Sequence, residues 1–298
     1  MSRAAVAAAV FLLVACAACG GAERPKAIPV PGNPGHLFEI NGHRLYVECL
    51  GAGTPTVIFE AGYGGDHHAW DAVEPEVARA TRVCAYDRAG LGLSAGEHPK
   101  RRGPFEQEDD LDDLLDAASI APPYVIVGHS YGGILAWLFA RRHHDDVEGL
   151  VLLDASHPRQ VERFRAVLPA DAPAEPEEVS PENVKFSEAA HAAADLGSLG
   201  DTRLVVVTAG QEDDGMPARI AARLQRVWLS LQDDYARRSS DTVHVVARYS
   251  GHFIQSNLGQ PDLVVRAIRE VVLAARARRP LRPCRELFRP PAGRCLGG

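Results

Sequence analysis

The segment that most constrains this chain is GHSYGG at residues 128–133, which stands between an apolar run and a helical pattern. The apolar run is YVIV at 124–127, and the helical pattern covers 132–143. In a G-x-S-x-G segment between a strand and a helix, the serine occupies a strained turn, and side chains at the glycine positions would collide with neighbouring backbone. The pattern predicts Ser130 as a nucleophile at a helix N-terminus, where developing negative charge is favoured.

Short β-branched runs alternate with longer amphipathic stretches, which is typical of an α/β domain with a mostly parallel sheet. The first two runs, 36–40 and 43–49, are joined by Asn41-Gly42, a strong hairpin signal. Six further runs follow at 56–60, 81–86, 124–127, 149–153, 203–208 and 242–247. We therefore predict eight strands that begin as an antiparallel hairpin and continue as β-α units.

Residues 157–200 interrupt this alternation with a Pro-, Ala- and Glu-rich stretch followed by a short helical piece. A segment of this length between two strands is usually functional or mobile, and we interpret it as a small lid inserted after the sixth strand of a domain that covers residues 36–278. Residues 279–298 form a Pro/Arg-rich tail.

The N-terminus predicts export. Residues 1–19 contain one basic residue, an apolar run and then small residues, the layout of a secretory signal. Leu-Val-Ala-Cys ending at Cys16 resembles the bacterial lipoprotein box, in which the cysteine is acylated and anchors the protein to a membrane surface. The alternative is simple cleavage and free secretion. Residues 20–35 are Gly/Pro-rich and are predicted to be a linker.

Composition excludes several classes of function. The net charge is −7, without a basic cluster, and aromatic residues make up 6% of the chain, so nucleic acid is a poor partner. The acidic run at 106–116 is interpreted as a solvated helix start. No cysteine or histidine spacing matches a zinc site, so no metal is predicted.

Two further loops complete a candidate active site. EAGYGG at 60–65 follows a strand, and its glycines leave backbone N–H groups free to face the site, as an oxyanion hole requires. We assign the two donors to the backbone N–H groups of Tyr63 and Tyr131. SGHF at 250–253 follows the last strand, and His252 is predicted to be the general base for Ser130. His129 is interpreted as a packing residue.

Two residues are candidates for the acid that orients His252. Asp213 lies in GQEDDGMP, after the strand at 203–208, and is our first choice. Asp154 directly follows the strand at 149–153 and is the alternative acid. Both preserve the order Ser, Asp, His along the chain. YDRAGLGLS at 86–94 is interpreted as structural, with Asp87 and Arg88 engaged with nearby backbone or with each other.

Four cysteines remain outside the signal, and an exported chain can form disulfides. Cys284 and Cys295 are predicted to bridge the tail, and Cys49 with Cys84 is the other pair considered. Buried free thiols are the alternative for both pairs.

Taken together, these motifs resemble those of the α/β-hydrolase superfamily over residues 36–278. GHSYGG looks like its nucleophile elbow, EAGYGG like its oxyanion loop, GQEDDGMP like its acid loop and SGHF like its histidine segment. The resemblance implies a central eight-stranded sheet with helices on both faces and adjacent second and fourth strands, which would bring Cys49 close to Cys84. The interval from Asp213 to His252 is longer than is usual in the family, which keeps Asp154 in consideration.

The resulting prediction is an exported serine hydrolase that cleaves esters through an acyl-enzyme and needs no cofactor. A serine nucleophile, rather than an aspartate, argues against the epoxide hydrolase and haloalkane dehalogenase branches. Amide, thioester or lactone hydrolysis, a cofactor-free haloperoxidase-like activity and a non-catalytic binding lipoprotein are the alternatives. The expected partners are a small acyl substrate and, through the lipid anchor only, a membrane; these motifs do not fix the oligomeric state.

Overall fold

A computed structural model of the chain describes residues 25–94, 96, 101–169, 182–211 and 216–296. The predicted signal with Cys16, the middle of the predicted lid and Asp213 lie outside the described residues. Within the described part of the chain, no helix is both long and apolar enough to cross a bilayer.

Ten strands form one sheet in the order β1-β2-β3-β5-β4-β6-β7-β8-β9-β10. The six strands from β5 to β9 in this order are parallel, and antiparallel strands flank them on both sides. The bounds are β1 (Ile28–Pro29), β2 (His36–Ile40), β3 (His43–Leu50), β4 (Thr56–Glu60), β5 (Val83–Asp87), β6 (Tyr124–His129), β7 (Val147–Leu153), β8 (Arg203–Ala209), β9 (Thr242–Ala247) and β10 (Gly293–Leu296). The predicted α/β fold, an α/β-hydrolase sheet that is mostly parallel, is confirmed.

All eight predicted strands are present, and two short strands extend the sheet at its edges. β1 lies within the predicted linker and pairs with β2, and β10 lies within the predicted tail and pairs with β9. The tail is held because buried Glu270 accepts hydrogen bonds from Arg279 and Arg282, and because Cys284 and Cys295 form a disulfide. The segment after residue 278 therefore belongs to the folded domain.

Helices cover both faces of the sheet. They are α1 (Glu74–Ala78), α2 (Pro104–Ala117), α3 (Tyr131–Arg142), α4 (Gln160–Arg165), α5 (Phe186–Ala192), α6 (Ala218–Ala236), α7 (Pro261–Arg276) and α8 (Cys284–Leu287). Successive strand residues point to opposite faces, so Ile126 packs with α2 and α3 while Val125 and Val127 pack with α1 and α7. This burial on both faces explains the uninterrupted apolar runs in the sequence.

Two antiparallel partners in the sheet are covalently linked. Cys49 on β3 stands opposite Cys84 on β5, and the two form a disulfide. The second and fourth predicted strands are therefore neighbours, as the family resemblance implied.

The interpretation of the acidic run as a solvated helix start is wrong for part of α2. The side chains of Glu108 and Asp110 are buried against the core, because α2 packs on α3. Asp110 accepts hydrogen bonds from Asn41 and Arg102, whereas burial raises the pKa of Glu108 to about 8.

The predicted lid contributes α4 and α5, with residues 170–181 between them outside the described part. α5 packs against α2 and α3, and α4 packs against α6. The described helices of the insertion therefore pack on α2, α3 and α6.

Candidate active site

Ser130 occupies a sharp turn between β6 and α3. Its backbone has φ 52° and ψ −123°, a conformation that residues other than glycine rarely adopt and that costs on the order of 1–3 kcal/mol. Three hydrogen bonds hold it: Ser130 N–H donates to the carbonyl of Leu153 (3.1 Å), and Ser130 O accepts from the N–H groups of Gly133 and Ser156 (both 2.9 Å). The elbow is thus fixed by the strand beside it.

The glycines of the elbow are required by close backbone approach. A Cβ atom on Gly132 would overlap the carbonyl oxygens of Glu60 and Ala61, and one on Gly128 would lie 2.6 Å from the carbonyl oxygen of Gly132. The oxyanion loop and the elbow are therefore in direct contact.

His252 lies in the loop after β9 and faces a carboxylate. Its Nδ1 lies 2.7 Å from Oδ2 of Asp154, and the side chains are 42% and 5% exposed, respectively. The carboxylate at His252 is therefore that of Asp154, the alternative acid from the sequence; our first choice, Asp213, lies outside the described residues.

Asp154 directly follows β7 with φ 43°, and its carboxylate is fully engaged. Oδ1 accepts hydrogen bonds from the backbone N–H of Ala209 (2.9 Å) and from Nε1–H of Trp228 (2.6 Å), which leaves Oδ2 for His252. Such a carboxylate can hold one imidazole tautomer and stabilise the imidazolium.

His129 connects the elbow to the histidine loop. It is buried, and its Nε2 lies 2.9 Å from the carbonyl oxygen of His252; because a carbonyl only accepts, this nitrogen carries the proton. The rings of His129 and His252 are 4.7 Å apart between centroids. Burial, and then the proximity of His252, lower the pKa of His129 to about 4, so it is a neutral packing residue beside Ser130.

The predicted oxyanion loop, residues 60–65, lies against Ser130 and His129. A Cβ atom on Gly62 would lie 2.9 Å from Nδ1 of His129 and 3.3 Å from Cβ of Ser130. The ring of Tyr63 meets that of Tyr131 edge to face at 5.7 Å. The two residues predicted to supply oxyanion donors are therefore in contact with each other, and they directly follow Gly62 and Ser130 in the chain.

A family model for the alpha/beta hydrolase fold matches residues 55–257. The chain belongs to the α/β-hydrolase family. It is a hydrolase of that family, and it is similar to the following three proteins.

"Uncharacterized protein YqjL" of Bacillus subtilis (strain 168) is 28% identical to this α/β hydrolase over 76% of the chain and 86% of its own length. A haloalkane dehalogenase of Sphingobium indicum is 31% identical over 40% of this chain and 41% of its own, so the chain spans less than half of that relative. The solved structure of a thermophilic esterase from Thermogutta terrifontis shares the fold with a TM-score of 0.56 and 23% identity, covering 84% of this chain and 98% of that one.

This α/β hydrolase also has a buried ionic network that the sequence reasoning missed. Arg88 binds Glu60 (2.7 Å) and Glu182 (2.7 Å), and its guanidinium also donates to the carbonyls of Ala61 and Gly62 (2.7 Å each). Burial raises the pKa of the Glu60 carboxyl although Arg88 opposes the shift. Arg88 therefore holds the predicted oxyanion loop in place through the backbone carbonyls of Ala61 and Gly62.

Glu182 ties the insertion to the same loop. Its Oε1 accepts a hydrogen bond from the N–H of Gly64 (3.0 Å), and its Oε2 from Nε2 of Gln107 (3.2 Å). The sequence prediction that Arg88 contacts nearby backbone is confirmed, but Arg88 does not pair with Asp87. Asp87 instead accepts hydrogen bonds from the backbone and ring of His67 (2.7 and 2.8 Å).

Among the residues that the structure describes, no three His, Cys, Asp or Glu side chains are grouped as metal ligands.

Proposed function

We propose that this chain is a serine hydrolase that cleaves carboxylic esters through an acyl-enzyme. The observation that carries the proposal is the 2.7 Å contact between Nδ1 of His252 and Oδ2 of Asp154, next to an elbow that holds Ser130 at positive φ. A nucleophile on a strained turn, a histidine base and a buried acid form the arrangement that recurs in acyl transfer.

The chemistry follows from the geometry. Ser130 Oγ attacks the ester carbonyl while Nε2 of His252 accepts the hydroxyl proton, because Nδ1 carries the proton shared with Asp154. The backbone N–H groups of Tyr63 and Tyr131 donate to the oxyanion. The leaving alcohol takes the proton from His252, and water activated by the same base then releases the carboxylic acid and restores Ser130.

The nucleophile separates this proposal from the chemistry named for some relatives. Besides the dehalogenase, "Epoxide hydrolase 3" of Xenopus tropicalis matches 38% of this chain. A carboxylate nucleophile attacks an alkyl carbon, whereas the Ser130 hydroxyl attacks an acyl carbon. Ester hydrolysis therefore fits the residue at the elbow, and amides, thioesters and lactones are tested against esters in one substrate panel.

Fluorophosphonate labelling of the purified chain tests the proposal. We expect one adduct, mapped to Ser130 by mass spectrometry, which is lost in Ser130→Ala and greatly slowed in His252→Ala. Turnover of short-chain aryl esters falls by several orders of magnitude in both variants.

Ser256→Ala is the matched control, because Ser256 lies in the same loop as His252 and its hydroxyl donates to the carbonyl of Phe253, outside the proposed triad. It should label like the wild type. Ester turnover that survives in Ser130→Ala, or an adduct at another serine, would overturn the proposal.

We also propose that the protein is exported and anchored by a lipid on Cys16, with free secretion as the alternative. The two disulfides support export, because disulfides persist in oxidising compartments and are rare in the cytosol.

A further inference from the structure

One face of α6 is hydrogen-bonded to the loop that carries the acid, residues 154–157, called here the acid loop. Nε1–H of Trp228 donates to Oδ1 of Asp154 at 2.6 Å, and Nε2–H of Gln232 donates to the carbonyl of Ala155 at 2.7 Å. One turn further, the Tyr235 hydroxyl donates to the carbonyl of the next residue of the loop at 2.7 Å. Residues three and four apart share a helix face, so α6 binds consecutive positions of the acid loop.

Trp228 makes the contact that bears on the acid itself. Its ring packs beside that of Phe164 on α4, with 5.9 Å between the ring centroids. The other donor to Oδ1 is the N–H of Ala209, whose carbonyl in turn accepts from Gln225, one turn earlier on α6. Both donors to Oδ1 are therefore held by the same helix, and only Oδ2 remains for His252.

We propose that Trp228 is a positioning residue for the catalytic acid: its indole N–H holds Oδ1 of Asp154, so that Oδ2 faces His252. The inference rests on the proposed function, because it concerns how the acid of that site is oriented. The same bond is a strong one, because it is donated to an ionised group. It also offsets part of the negative charge of the Asp154 carboxylate. Trp228 thereby sets both the direction of Asp154 and its attraction for a protonated His252.

Two further histidines belong to the surroundings of this pair, one at the end of β6 and one in the acid loop. From β6, neutral His129 packs on His252, and burial lowers its pKa to about 4. From α6, Asp234 binds His157 of the acid loop at 3.3 Å, and burial lowers the pKa of His157 to about 4 despite that carboxylate. Neither His129 nor His157 gains a proton near neutral pH, so neither of them produces an acidic limb of the pH–rate profile there.

The chain's three tryptophans provide a matched series of Trp→Phe variants. Trp228 donates to the acid, Trp137 donates to the carbonyl of Leu196 at 3.0 Å, and Nε1 of Trp70 is buried without a partner among the described residues. Each substitution removes one indole N–H and part of one ring, but only one of them touches the proposed triad.

For Trp228→Phe we expect kcat/KM for an aryl ester to fall on the order of tenfold, mainly in kcat. The acidic limb of the pH–kcat/KM profile should move to higher pH, because the carboxylate left with one donor attracts the imidazolium more strongly. Trp137→Phe and Trp70→Phe should both lower thermal stability, because both rings are fully buried, and both should keep the wild-type acidic limb.

Replacement of Trp228 by 3-benzothienylalanine in the Trp70→Phe/Trp137→Phe background is the second variant, because it removes the N–H and keeps the ring size. It should show the same shift of the acidic limb even if Trp228→Phe folds poorly. If the acidic limb of the pH–kcat/KM profile does not move in the benzothienyl variant, the inference is overturned. Fluorophosphonate labelling of Ser130 would in that case still support the proposed function. Loss of that labelling in the wild type would instead overturn the proposed function.

Discussion

The carboxylate of Asp154 receives its hydrogen bonds from parts of the chain that lie far apart in sequence. His252, Ala209 and Trp228 are 98, 55 and 74 residues away. The sequence could identify two acidic residues after neighbouring strands, but the choice between them depends on where α6 and the histidine loop pack. Ser130 and His252, in contrast, were predictable because each sits in a local motif at the end of a strand.

Exchange of each candidate acid for its amide separates the two. We expect Asp154→Asn to lower kcat by on the order of 10³- to 10⁴-fold, because the amide no longer accepts the proton-bearing Nδ1 of His252 in the reactive tautomer. Asp213→Asn is the matched variant and should retain activity close to the wild type. Ester kinetics of both proteins decide the matter, and loss of activity confined to Asp213→Asn would refute the assignment of Asp154.

The Arg88 network shows a second limit of sequence reasoning. Arg88 and Glu182 are 94 residues apart, and Glu182 comes from an insertion whose composition suggested only a lid. Buried carboxylates around one guanidinium have no periodic signature, because their partners are chosen by the folded loops. The nearest signal was the position of Arg88 just after β5, at the edge of the sheet where functional loops gather.

At the level of elements, α2 carries a carboxyl group in a buried environment that disfavours its charged form. Glu108 is 2% exposed, and neither of its oxygens has a hydrogen-bond partner among the described residues. Burial raises its pKa from 4.5 to about 8, although Arg142 at 3.9 Å opposes the shift. The folded state thus keeps a proton that the unfolded state releases.

The sign of the pH dependence follows from this difference. Between about pH 4.5 and pH 8 the unfolded chain binds fewer protons at Glu108, so this group lowers the free energy of unfolding as pH rises through that window. We expect Glu108→Gln to raise the Tm by a few degrees near pH 8 and to change it little near pH 4.5. Differential scanning calorimetry across pH checks this.

Glu106→Gln is the control on the same helix, because Glu106 is exposed. It should leave the pH dependence of the Tm unchanged. A Glu108→Gln protein whose Tm tracks the wild type at every pH would contradict the buried, protonated state of Glu108.

The strands show how far hydrophobic pattern predicts elements. Six of the eight inner strands were found from apolar runs, and β2 and β3 from the Asn41-Gly42 hairpin signal between them. β1 (Ile28–Pro29) and β10 (Gly293–Leu296) are only two and four residues long, which is too short to leave such a pattern. They form because neighbouring strands offer free edges and because a disulfide and the Glu270 ion pairs bring the tail to β9.

For the whole molecule, the proposed anchor is tested on the full-length chain expressed in a bacterial host. We expect the wild type to incorporate labelled fatty acid and to enter the detergent phase of a Triton X-114 partition, because two or more acyl chains give stable membrane binding. Cys16→Ser should lose both properties and keep ester turnover. Cys19→Ser is the matched control and should behave as the wild type; a Cys16→Ser protein that still carries the label would refute the anchor.

The backbone conformation of Ser130 affects which substitutions are selected when this protein is selected for stability. Glycine is the residue that its positive φ favours, so the folded chain gives up stability at the position where the proposed mechanism places its nucleophile. A screen that rewards thermal tolerance alone will therefore enrich inactive glycine variants at this position. A selection for a more thermostable enzyme must therefore measure turnover at the same time. Its stabilising substitutions must come from positions outside the elbow.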